Sequence, residues 1–245
     1  MKNIIKSILR PIKIFLLTFF ASIISFLNKK INKDFKCNAK TKRCIENIKS
    51  PSFRYELRGE NIPICCATHL YELIRDVTSI LEKNNMEYFI CCGTLLGAVR
   101  HRGLIPWDTD IDMVIPDNKK DEIFNILVKN LGNKYIVKHE KEKGFGNLIR
   151  VFYSSLNTTH IDLFTYFSFN ETIKVFKEER IFNKVDIFPL QKIKFYDIEL
   201  FAPKKYELHL QRLYGNEYMR YAYKQWALNK NKFKITDYSP ARVEK

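Results

Sequence analysis

Glycine and proline are scarce in this 245-residue chain, with eight of each. That scarcity excludes a collagen-like repeat or a low-complexity protein, and the chain holds no internal repeat. Acid is also short: 27 Asp and Glu face 42 Lys and Arg, for a net charge of +15. Six cysteines occur, Cys37, Cys44, Cys65, Cys66, Cys91 and Cys92. Two adjacent pairs and one C-x6-C do not match a zinc site. An even count leaves disulfides open in an oxidising compartment, the alternative being that Cys91 and Cys92 are small buried residues at a strand end. The apolar run IFLLTFFASIISFL, residues 14–27, reaches about 21 Å as a helix. That is short of a hydrocarbon core of about 30 Å.

What is present supports one globular domain with appendages, because 46% of residues are hydrophobic and 14% aromatic. The basic excess is localised. Residues 1–50 hold twelve Lys or Arg against Asp34 and Glu46 and so carry +10 of the total charge. A phosphate-backbone footprint would need that charge clustered on the folded body, so the balance points to a membrane and away from nucleic acid. Extended outward to Arg10 and Ile31, with Lys13, Lys29 and Lys30 snorkelling, the run reaches spanning length. No small-x-small cleavage site follows it, which favours a retained signal-anchor over a removed signal peptide. The expected organisation is an anchor over 1–31, a basic stalk over 32–62, a catalytic domain over 63–222 and a basic tail over 223–245.

Within the body, Leu70, Leu73, Ile74, Val77, Ile80 and Leu81 recur at helical spacing. Strands are expected at 88–92, 111–116, 147–153 and 159–166, with a strand pair over 185–201. Asp117 and Gly132 bracket a second helix, and a third is expected over 204–214. Strands alternating with helices, then shorter elements, predict an α/β or α+β fold with a mixed sheet flanked by helices.

The chemistry concentrates in GTLLGAVRHRGLIPWDTDIDM, residues 93–113. On a strand Asp110 and Asp112 share a face about 7 Å apart, and Asp108 is in phase behind the turn at Pro106. Three like charges in five positions need a counter-charge. A hard divalent ion, Mg²⁺ or Mn²⁺, supplies one, since it takes one or two carboxylates and completes its shell with water and phosphate oxygens. Asp162, set between apolar residues in HIDLF, is the candidate third acid. Gly93 and Thr94 read as a turn that lets a phosphate approach the backbone at a helix start, with Arg100 as counter-charge. Arg100 also reads as an ordinary helix-end cation. Trp107 is a core residue, a pocket wall or a base-stacking surface. Arg150 reaches a phosphate or pairs along its strand, and His101 and His160 read as packing or hydrogen-bonding residues. Such a set is phosphoryl-transfer equipment.

The block YFICCGTLLGAVRHRGLIPWDTDIDM, together with HIDLF, VDIFPL and RLYGNEYM, resembles the LicD / fukutin-related phosphotransferases, a family built on the nucleotidyltransferase fold. The likeness runs from about Ile64 to Met219. It implies transfer of a phospho-substituent, phosphocholine- or ribitol-phosphate-like, from a CDP-activated donor to a sugar hydroxyl of a glycan, with release of CMP. Carried over by position, Asp110 and Asp112 bind the metal, and Asp162 is a further ligand or the base, with Asp108 as the other base candidate. Gly93, Thr94 and Arg100 hold donor phosphates. Many members have a second consecutive Asp where this chain has Thr109, on the opposite strand face. The expected location is the secretory-pathway lumen for a eukaryotic source and the cytoplasmic membrane face for a bacterial one. NMP transfer from an NTP is an alternative on the same fold, and an inactive membrane-anchored binding module is another.

Overall fold

In the computed structural model, the residues described are 38–40, 61–142, 146–157, 159–175, 180–223 and 232–244. The expected anchor over 1–31 and most of the stalk lie outside them. Among the described residues no helix is long and apolar enough to cross a membrane.

Helix α1 (Ile64–Lys83) follows Pro63 and buries Leu70, Leu73, Ile74, Val77 and Leu81 completely, the i, i+3, i+4 stripe written in its sequence. Strand β1 (Phe89–Ile90) is short because helix α2 (Cys92–His101) takes over where the sequence suggested more strand and a Gly-Thr turn. Strand β2 (Ile111–Pro116) leads through a 3₁₀ turn at Asp117–Lys119 into α3 (Lys120–Leu131). Strands β3 (Ile136–Glu142), β4 (Gly146–Phe152) and β5 (His160–Phe169) follow. Then come β6 (Thr172–Val175), β7 (Arg180–Asn183) and a one-turn α4 (Lys184–Ile187). That turn takes the first residues of the stretch expected as a strand pair, and the rest forms the pair, β8 (Gln191–Phe195) and β9 (Ile198–Ala202). Helix α5 (Tyr206–Tyr214) and the small pair β10 (Tyr221–Tyr223) and β11 (Lys232–Lys234) complete the order.

The main sheet runs β1-β2-β5-β4-β3, with β6 and β7 added at the far end of β5. It is mixed: β2 and β5 are parallel, and the other pairs are antiparallel. Side chains alternate across each strand, so the sheet has two distinct faces. Ile111, Met113, Ile149, Val151, Ile161 and Leu163 point into the larger core with α1 and α3. Val114, Leu148 and Phe164 join Phe89, Ile173, Val175, Phe182 and Ile187 in a smaller core on the other face. The functional residues share that second face.

Part of the segment expected as a basic tail docks on the body of the domain. After β11, Ala241 donates its N–H to the Leu104 carbonyl at 3.0 Å and accepts from Tyr196 Oη at 2.7 Å. Ala241 and Ile235 are buried. Apolar residues at these positions dock the chain end back onto α2 and β8, and composition alone disguised them among lysines.

Candidate active site

Strand register assembles a row of charges. Asp112 on β2 lies opposite Asp162 on β5, Asp162 lies opposite Arg150 on β4, and Arg150 lies opposite Lys138 on β3. Directly opposite residues share a face, so two acids and two bases cross the sheet in the spatial order 112, 162, 150, 138. Two residues along each strand the same face turns apolar, with Val114, Phe164 and Leu148. The charged row therefore ends against a small dry core.

The two inner members pair. Arg150 Nε donates to Asp162 Oδ1 at 2.5 Å and Nη2 to Oδ2 at 2.6 Å, a two-pronged fork on a buried carboxylate. His160 Nε2 stands 3.8 Å from the same Oδ1. Asp162 therefore sits beside Asp112, as the strand phase requires, yet both its oxygens are occupied by Arg150.

Asp110 and Asp112 contrast with it. Among the described residues no ion pair reaches either. Burial, then the charges of Asp110, Cys92, Asp108 and Asp162, hold the Asp112 carboxyl well above the usual carboxylate range. Burial raises Asp110 as well, with His160 opposing and Asp162 adding to the effect. Arg150 and the Asp108 side chain also favour the charged form of Asp110, whereas burial and the neighbouring charges all disfavour it in Asp112.

The N-terminal end of α2 closes on these acids. Cys91 is extended, and Cys92 adopts a left-handed φ of 47°, an uncommon conformation for a residue with a side chain. Thr94 Oγ1 accepts the Asp112 N–H at 2.8 Å, and Cys91 N–H donates to the Asp112 carbonyl at 3.1 Å. Helix start and strand start are thereby stitched together. A Cβ on Gly93 would stand 2.5 Å from Asp108 Oδ2, so the missing side chain makes room for a carboxylate of this same chain. Asp108 Oδ1 accepts from the Thr109 N–H at 3.1 Å.

Arg100 leaves the opposite end of α2, about 10 Å further along the axis than Gly93. It is 5% exposed. Its Nε donates to His101 Nε2 at 2.9 Å, and its Nη1 donates to the Tyr218 carbonyl at 2.8 Å. The guanidinium lies 5.9 Å from the Trp107 ring centroid. Trp107 is also met edge-on by His101 and Phe233, so its surroundings are largely protein. Since His101 Nε2 accepts, its proton is on Nδ1, facing the Ser239 carbonyl at 3.2 Å. Burial and the Arg100 charge push His101 down to about 4.

Sequence reading missed Tyr214. Burial, then Cys92, Asp112 and Asp108, raise its phenol, which marks it as a neighbour of the acids although it ends α5, a hundred residues downstream. The signal available was its place in RLYGNEYM, an aromatic just before a glycine with φ of 81°. Lys138 was missed too, because only register brings it into the row.

Among the described residues no group of three His, Cys, Asp or Glu is poised as a ready ligand shell. Two crowded acids that no ion pair reaches among the described residues do fit a hard divalent ion that binds one or two carboxylates and keeps its other positions for water and phosphate oxygens.

Residues 85–205 match the LicD/FKTN/FKRP nucleotidyltransferase domain. An uncharacterized protein of Rickettsia prowazekii is 31% identical over 69% of this chain and 60% of its own length. Human ribitol 5-phosphate transferase FKRP is 29% identical over 74% of this chain and 38% of its own length. The lipopolysaccharide cholinephosphotransferase LicD of Haemophilus influenzae is 49% identical over 57 residues, 23% of this chain and 22% of that protein. The chain thus spans well under two thirds of these relatives. The matched region contains the whole of the charge row and both ends of α2, and through it this chain belongs to the LicD/FKTN/FKRP family of nucleotidyltransferase domains.

Proposed function

We propose that this chain transfers a phospho-substituent from a CDP-activated donor to a sugar hydroxyl of a glycan, releasing CMP. The observation that carries this reading is the couple Asp110 and Asp112, which no ion pair reaches among the described residues, beside the clamped Asp162 on one sheet face at the start of α2. The relatives named above, a ribitol 5-phosphate transferase and a cholinephosphotransferase, support the reaction class.

In this reading Asp110 and Asp112 hold Mg²⁺ or Mn²⁺. The bound ion supplies charge neutralisation for the donor diphosphate and the departing phosphate. Gly93 and Thr94, in the first turn of α2, face the donor phosphates. The acceptor oxygen forms a bond to the phosphorus carrying the alcohol, the bond from that phosphorus to the oxygen of CMP breaks, and the hydroxyl proton passes to a carboxylate. Asp108 is the better base of the two candidates, because Arg150 occupies both oxygens of Asp162. The Arg150–Asp162 pair acts by positioning: it sets the wall of the site and adds a charge next to Asp112. The charges of Asp112 and Asp108 act on the buried Tyr214 phenol, which makes it a further candidate to line the site. Residues 14–27 would hold the domain at a membrane, which carbonate extraction of the full chain against a version lacking residues 1–31 checks.

The test is CMP release from a panel of CDP-alcohols with Mg²⁺. We expect release with at least one donor, lost on chelation and reduced at least 10³-fold in Asp110→Asn with Asp112→Asn. Release that survives the double substitution would discard this metal site. Pyrophosphate release from an NTP would replace the reading with nucleotidyl transfer.

A further inference from the structure

A pocket of 530 Å³ opens beyond the C-terminal end of α2, lined by Arg100, Arg102, Lys194, Tyr196, Tyr238 and Ser239 among others. Its walls come from three separate places in the chain: the last turn of α2, strand β8 with Tyr196, and the docked segment after β11. Three cations meet there. Among the described residues none of the three makes an ion pair with a carboxylate. The acids nearby are otherwise engaged. Asp237 accepts from the Ser239 N–H at 2.8 Å, and Asp197 accepts from Tyr71 Oη at 2.6 Å.

Arg100 is the member that makes this a built site. It is almost fully buried, and a neutral His101 and the Tyr218 carbonyl engage two of its five N–H groups. A buried guanidinium without a counter-ion is costly. Neither His101, whose accepting nitrogen is turned to Arg100, nor a carbonyl supplies a negative charge. Tetrahedral and planar oxyanions are the ligands that match a guanidinium flanked by a second arginine and a lysine. Trp107, whose ring centroid lies 5.9 Å from the Arg100 guanidinium, directly precedes Asp108 in the chain, which links the pocket to the acid cluster.

We propose that this pocket binds an oxyanion carried by the acceptor, a phosphate ester or carboxylate on a sugar, and thereby presents a nearby hydroxyl to Asp108. This rests on the transferase reading for the word acceptor, but the binding itself needs neither donor nor metal. Arg102 and Lys194 are exposed, so their replacement should leave the fold intact, which circular dichroism checks.

The experiment is calorimetry on the full chain with EDTA, at low ionic strength, using glucose 6-phosphate, glucuronate, glucose and inorganic phosphate. Glucose 6-phosphate or glucuronate should bind, and glucose should not. Arg102→Ala with Lys194→Ala should weaken that binding at least tenfold, while Asp110→Asn with Asp112→Asn should change it less than twofold. Which of the two charged sugars binds identifies the oxyanion. Binding of neither, or binding indifferent to Arg102 and Lys194, overturns the proposal. So does binding lost in the aspartate variant, or inorganic phosphate binding as tightly as the sugar. A failed CMP assay would leave these results standing, so the two readings fail separately.

Discussion

The two ends of α2 carry opposite chemistry. At the N-terminal end, Asp108 packs on Gly93 and Asp112 is tied to Thr94, in a cluster of carboxylates. At the C-terminal end, Arg100 and Arg102 surround the last turn with positive charge. Each end matches the helix dipole, which favours anions at the start and cations at the finish. The helix thus separates a site short of positive charge from one short of negative charge, within ten residues. That teaches how one short element can present opposite charge demands at its two ends. A similar contrast holds between Asp112 and Asp162, opposite one another in register, one crowded by acids and the other clamped by a guanidinium.

Breaking the clamp should have the largest effect on stability. Arg150→Ala leaves a buried carboxylate unpaired and should cost about 3–5 kcal/mol in urea unfolding. Combining it with Asp162→Ala should recover much of that loss. A double variant no more stable than Arg150→Ala would show that Asp112 and Asp162 are not distinguished in this way.

At the basic end, His101 is held near 4 against an ordinary 6.5. The unfolded chain takes the proton first, so this contribution is complete above pH 6.5. It is lost as the pH falls toward 4, by at most roughly 3 kcal/mol. His101→Gln should flatten the difference in unfolding free energy between pH 7 and pH 4.5. Equal slopes in the two proteins would count against a neutral, buried His101 supporting Arg100.

At the acid end, Thr94→Val removes the acceptor for the Asp112 N–H and should cost about 1–3 kcal/mol. Thermal melts would report it, and Thr94→Ser should restore most of the loss. Gly93→Ala should be the mildest for stability, within about 1 kcal/mol, because the atom it meets ends a flexible side chain. Its CMP release should nonetheless fall at least tenfold as Asp108 is displaced. A variant with full activity would remove Asp108 from the role of base.

Much of the fold and part of the site were legible beforehand. The stripe Leu70, Leu73, Ile74, Val77 and Leu81 predicted α1 because helical burial repeats with the backbone's own period. The alternation in IDMVIP and HIDLF put Asp112 and Asp162 at the correct strand positions for the same reason. The Gly93-Thr94 turn lies inside α2 and not before it: the left-handed residue is Cys92, and a Cβ on Gly93 would meet Asp108. Nothing local announces that approach, since the contact spans fifteen residues.

The sequence by itself determined the local elements, the acid spacing over residues 108–112 and the block by which the family is known. These depend on neighbours along the chain, whose periodicity and turn chemistry are written in order. Only the tertiary structure decided that Arg150 closes on Asp162, that Lys138 completes the row, that Tyr214 comes under the influence of the acids and that residues 238–240 wall the basic pocket. Those depend on strand register and chain return, which shift every side chain of a strand together, and which no short stretch of sequence specifies alone.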